Sequence, residues 1–136
     1  MAVLSLHHEA VSDLAAIRLT EPRHAALIQA ALQEIEADPD LSANLLDHGF
    51  GLDANHRPCG LYGVKKWTRL WDAGRDIWRL RAWKLEGRNL NYRIVYAYLV
   101  QQRQFCVLAI TPKAPFDYDD PNDPIAQRVS NAFDSL

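Results

Sequence analysis

The sequence predicts an α+β domain: a small antiparallel sheet carrying an N-terminal helical hairpin and a C-terminal helix, in the order β-α-α-β-β-β-α. Three observations predict it. Apolar residues recur at helical spacing up to Asp38; residues 91–99 alternate in polarity and 104–111 are almost continuously apolar; and Asp123-Pro124 opens a segment in which Ile125, Val129 and Phe133 recur every four residues. A chain of 136 residues is most simply one domain, spanning 1–136, and can bury roughly two thirds of the surface of its unfolded form.

Val3–His7 reads as a short strand. From Glu9 the period changes: Val11, Leu14, Ala15, Arg18 and Leu19 form one stripe, with Glu9 and Asp13 in the early turns, where the helix dipole favours acids. Glu21-Pro22 restarts the helix, since proline suits its first position. Leu27, Ile28, Ala31, Leu32 and Ile35 mark the buried face, and Asp38-Pro39 ends it. Asp40 caps a short turn carrying Leu45 and Leu46. Asp53–Gly63 is rich in breakers and reads as a loop, and Val64, Trp67 and Trp71 are spaced for a short helix. Three strands follow as a meander: Ile77–Leu85, Asn91–Leu99 and Gln104–Thr111. The last, nearly all apolar, is expected to be central. Gln101-Gln102-Arg103 is a hairpin turn by position although it contains neither Gly nor Asn.

Charge is distributed unevenly. Residues 57–93 hold ten Lys/Arg and three acids, whereas residues 1–56 hold two basic and nine acidic side chains. The formal net charge of −2 thus conceals a basic block interleaved with aromatics, which points to a polyanion or an acidic partner. A hairpin symmetric about Gly87 places Arg81 opposite Arg93 and Arg79 opposite Val95. Alternation then puts Arg79, Arg81 and Arg93 on one face, with Ile94, Tyr96 and Tyr98 on the other. Like charges across a sheet repel, and a bound anion relieves that repulsion.

Other chemistry is sparse. Cys59 and Cys106 lack metal or redox spacing and read as reduced thiols. Asp117, Asp119 and Asp120 are hard oxygen ligands without the glycine or distal glutamate of a calcium loop, and His56 with Cys59 lacks a second ligand pair for zinc, so no metal or other cofactor is expected. His48 and His56 become acid–base candidates if the fold returns their loop to the sheet. No apolar run approaches the length of a membrane span and Met1–His8 has no secretory pattern, so a cytoplasmic protein is expected.

Asp76-Ile77-Trp78-Arg79-Leu80-Arg81, Asn91-Tyr92-Arg93-Ile94-Val95-Tyr96 and Val107-Leu108-Ala109-Ile110-Thr111-Pro112-Lys113, with the Glu9-Ala10 and Asp13-Leu14 pairs of the first helix, resemble the RelE/ParE superfamily of bacterial toxins. The resemblance covers residues 3–118. It implies a RelE-like toxin of a type II toxin–antitoxin system, held inactive by a cognate antitoxin. It further implies inhibition of translation by metal-independent cleavage of mRNA on the ribosome. Arg79, Arg81, Arg93 and Lys113 match the family's basic positions, and Tyr118 a C-terminal tyrosine that stacks or exchanges a proton. The chain departs from many RNA-cutting members in its pI of about 6.2 and in Lys113-Ala114-Pro115, where those members carry paired basic residues. The resemblance leaves two alternatives: a ParE-like poison of DNA gyrase, and a non-catalytic interaction domain of the same fold.

Overall fold

The structure is a computed structural model and describes residues 3–55, 57–83, 90–112, 120 and 122–136. The Gly87 turn, His56, Lys113, Asp117, Tyr118 and Asp119 lie outside the described residues. The architecture is α+β. Strand β1 (Val3–Leu6) leads into helices α1 (His8–Thr20), α2 (Pro22–Ala37) and α3 (Pro39–Ala43). Then come β2 (Tyr62–Lys66), α4 (Thr68–Asp72), β3 (Ile77–Ala82), β4 (Tyr92–Leu99), β5 (Gln104–Pro112) and helix α5 (Pro124–Asp134).

The sheet is larger than the sequence predicts and is mixed. It has five strands in the order β1-β5-β4-β3-β2; β1 runs parallel to β5, and the other neighbours are antiparallel. The unexpected strand is β2. The sequence Tyr62-Gly63-Val64-Lys65-Lys66 reads as loop and helix start because it contains a glycine and two lysines, which have weak strand preference. Tertiary pairing overrides that preference, since β3 hydrogen-bonds along its whole length and Gly49 and Phe50 bond to Val64 on its outer side. The close approach of that outer segment depends on Gly51, whose φ is +83° and where a Cβ would collide with the carbonyl oxygen of Tyr62.

Each face of the sheet has a core. On one, Leu14, Ile28 and Leu32 from the helical hairpin pack on Trp78, Leu80, Ile94, Tyr96 and Val107. On the other, Leu70 of α4, the buried Trp67 just before that helix and Val129 of α5 meet Ile77, Val95, Ala97 and Leu108. Coverage on both sides explains why β5 is apolar from Phe105 to Ile110. Tyr96 donates its hydroxyl proton to the Leu45 carbonyl at 2.6 Å, pinning the segment after α3.

Two links tie the helices to the sheet. His7 caps α1 by accepting from the Glu9 amide, and its own amide donates to the Val107 carbonyl at 2.8 Å. Beyond the end of β1, Asp13 of α1 takes over the β5 edge by accepting from the Ile110 amide at 2.9 Å. The same carboxylate holds Arg128 of α5 through two bonds of 2.7 and 2.6 Å. Asp123 caps α5, with Pro124 at its first position, as the sequence predicts. At the β4–β5 turn Arg103 itself adopts φ +53°, which is why no glycine is needed there.

Candidate anion-binding face

The β3–β4 register sets Arg79 against Val95 and Leu80 against Ile94, the pairing expected of a turn centred on Gly87. Leu80 with Ile94 is the last pair of that ladder, and Arg81 and Arg93 are the next residues beyond it on the two strands. Alternation places all three arginines on the side of Ile77 and Val95. The second core covers that side only in part, and the remainder is the basic face.

The new strand extends it. In the β2–β3 register Lys65 lies directly opposite Arg79, and Gly63 opposite Arg81. The face therefore carries Lys65, Arg79, Arg81 and Arg93 across three adjacent strands. Lys65, Arg79 and Arg81 are half-buried, whereas Arg93 is only 4% exposed and forms the floor, against Thr111 on β5. A guanidinium N–H of Arg93 donates to the Tyr92 carbonyl at 3.4 Å. Partial burial, then the charges of Arg79 and Arg81, hold the Lys65 ammonium below its ordinary pKa. An arriving anion reverses that electrostatic cost.

Trp83 lies against this face. A Cβ on Gly63 would fall within the indole, 2.7 Å from Cη2 and nearer still to Cζ2, so only glycine leaves room for the ring. The Arg81 guanidinium lies 4.8 Å from the indole centroid.

His48 returns to the outer side of β2, where its Nδ1 accepts from the Lys66 amide at 3.0 Å. That bond places the proton of the neutral ring on Nε2. Partial burial, then the charges of Lys66, Lys65 and Arg79, lower its pKa. At neutral pH it is an uncharged donor near the basic face, with its acceptor nitrogen already engaged.

The basic block does not form one surface. Lys66 lies over the Trp71 ring at 4.0 Å on the other side of the strand, beside an Asp76 carboxylate that accepts from both Trp71 and Trp78. Arg75 pairs with Asp134 through bonds of 3.1 and 2.9 Å, fastening the end of α5. Glu9 and Asp13 are engaged by Arg128. Of the residues expected at the site, Arg79, Arg81 and Arg93 are brought together, and Lys113 and Tyr118 lie outside the described residues. Lys65, Gly63 and Trp83 escaped the sequence reading. Their signal was a glycine two residues before a lysine, legible only once β2 is known to be a strand. Among the described residues no group of three His, Cys, Asp or Glu side chains could hold a metal ion, and no helix is long and apolar enough to cross a membrane.

No protein-family model matches the chain, and no curated protein or solved structure matches it.

Proposed function

We propose that this protein binds RNA phosphates on the Lys65–Arg79–Arg81–Arg93 face and acts as the toxin of a toxin–antitoxin module, cutting ribosome-bound mRNA without a metal. The observation that carries the reading is the convergence of four cations from three strands on one partly open side of the sheet. The resemblance of the three strand segments to RelE/ParE toxins supplies the reaction class. The helical hairpin after β1, the β3–β4–β5 meander and the C-terminal helix follow the element order that the resemblance implies, to which β2 and α4 are additions.

Cleavage by attack of a ribose 2′-hydroxyl on the adjacent phosphate needs cations on the developing phosphorane charge. Lys65, Arg79 and Arg81 are the accessible ones, whereas Arg93 is buried at the floor. The attacking hydroxyl also needs a base, and His48 offers only its Nε2–H, because Nδ1 is taken by the Lys66 amide. That observation favours a second reading, in which the face binds and does not cut, as an interaction domain would.

Induced expression separates the two. A nuclease arrests growth and cleaves ribosome-bound mRNA. Arg79→Ala, at an accessible cation, then relieves the arrest, with a loss on the order of 10²–10³ in rate, and Lys113→Ala relieves it in part. A wild-type protein that binds RNA but neither arrests growth nor cuts mRNA is the interaction domain.

A further inference from the structure

We propose that Trp83 and Arg81 form a nucleobase subsite beside the phosphate-binding cations, so that the face selects unpaired nucleotides. This rests on the phosphate-binding part of the reading above and extends it from charge to base recognition.

The arrangement is built from three residues. Gly63 leaves bare backbone on β2, and the Trp83 indole occupies the space where a side chain would stand. Arg81, directly across the ladder from Gly63, brings its guanidinium over the indole at 4.8 Å from the centroid. The indole limits the motion of the flexible arginine and orients it by cation–π attraction. Both residues are only half-buried, so the assembly borders solvent.

A ring with a purely structural role would not need a nitrogen. The Trp83 indole N–H is buried and makes no hydrogen bond among the described residues, a cost that phenylalanine would avoid. Tryptophan contributes what phenylalanine supplies less well: a larger and more electron-rich face on which to hold a guanidinium. A guanidinium plane supported in this way is one of the surfaces on which unstacked bases are recognised.

The spacing suits a polynucleotide. Arg79 and Arg81 lie two residues apart on one face, roughly 6.6 Å along the strand, and Lys65 stands across from Arg79. A phosphate on Lys65 and Arg79 places the neighbouring nucleoside at Arg81 and Trp83. Duplex RNA keeps its bases stacked inside the helix and can offer this subsite nothing but phosphates.

The test compares three ligands of about 12 nucleotides, within the size range of single-strand sites: single-stranded RNA, an abasic ribose-phosphate oligomer, and duplex RNA, each followed by fluorescence anisotropy. Wild type should bind the single strand most tightly. Arg81→Lys keeps the charge and removes the plane, and Trp83→Leu removes the support. Each should weaken single-strand binding roughly 5- to 100-fold, the range of one lost base stack; Trp83→Leu, which removes no charge, should leave abasic and duplex binding within twofold of wild type, and Arg81→Lys should shrink the ratio of single-strand to abasic affinity by the same factor. If abasic RNA binds as tightly as the natural strand, or if Arg81→Lys leaves single-strand affinity unchanged, there is no base subsite, although the phosphate face stands. If wild type binds none of the three, both readings fail. Arg81→Lys keeps the test decisive if Trp83→Leu does not fold.

Discussion

Asp13→Ala is the substitution expected to damage this fold most per atom removed. Its carboxylate joins three elements: it accepts from the Ile110 amide at 2.9 Å and holds Arg128 at 2.7 and 2.6 Å. Ile110 is only 2% exposed, so the alanine variant leaves a buried amide without its acceptor, at about 1–3 kcal/mol. The Arg128 side chain is 27% exposed, and solvent therefore softens the loss of its bidentate partner to about 1–2 kcal/mol. Together these give a destabilisation of about 2–5 kcal/mol, or roughly 5–15 °C in Tm for a domain of this size. Asp13→Asn retains an acceptor for Ile110 and loses only the charge, so it should cost about 1–2 kcal/mol. Urea unfolding followed by tryptophan fluorescence measures both, with the loss read from the midpoint at constant slope. A loss below about 1 kcal/mol for Asp13→Ala would refute the view that this carboxylate locks α1, β5 and α5 together.

Four further outcomes follow from the same geometry. Gly51→Ala should fail to fold or lose more than about 3 kcal/mol, because the left-handed backbone and the Tyr62 carbonyl both oppose a side chain; circular dichroism and urea melts decide it. Tyr96→Phe should lose about 1–2 kcal/mol in the same melts by orphaning the Leu45 carbonyl. Arg103→Gly should gain about 0.5–1 kcal/mol by relieving the positive φ, read as a higher Tm. The pH dependence has a definite sign: His7 and His48 both have pKa values lowered below 6.5 in the fold, so the unfolded chain takes up protons first as pH falls. Stability is then full above pH 6.5 and declines below it, and His48→Gln should flatten that decline in melts between about pH 7 and 5.

Most of the architecture was legible because its signals are local. Proline at the start of α2 and α5, the Asp123 cap and the alternation of Tyr92, Ile94, Tyr96 and Tyr98 against Arg93, Val95 and Ala97 each determine one element without reference to the rest of the chain. The arginine face was legible for the same reason, since symmetry about Gly87 is enough to set the β3–β4 register. β2 was not, because Tyr62-Gly63-Val64-Lys65-Lys66 is a strand only through its neighbours on both sides, and Lys65 was missed with it. The parallel pairing of β1 with β5 joins residues about a hundred positions apart, Leu4 with Phe105 and Ser5 with Cys106, and no local pattern announces it. Nor does charge composition reveal that Lys66 and Arg75 are engaged by Trp71 and Asp134 rather than facing a ligand.

The central claim is that the Lys65–Arg79–Arg81–Arg93 face binds nucleic-acid phosphates, and the salt dependence of RNA affinity tests it most directly. For wild type, log K for single-stranded RNA should fall linearly with log salt concentration, with a slope of about −0.7 per phosphate contact. The double variant Lys65→Gln, Arg79→Gln removes two accessible cations and should bring that slope about 1.4 closer to zero, with weaker binding at low salt. A wild-type slope near zero, or a double variant whose slope equals that of wild type, would contradict the account.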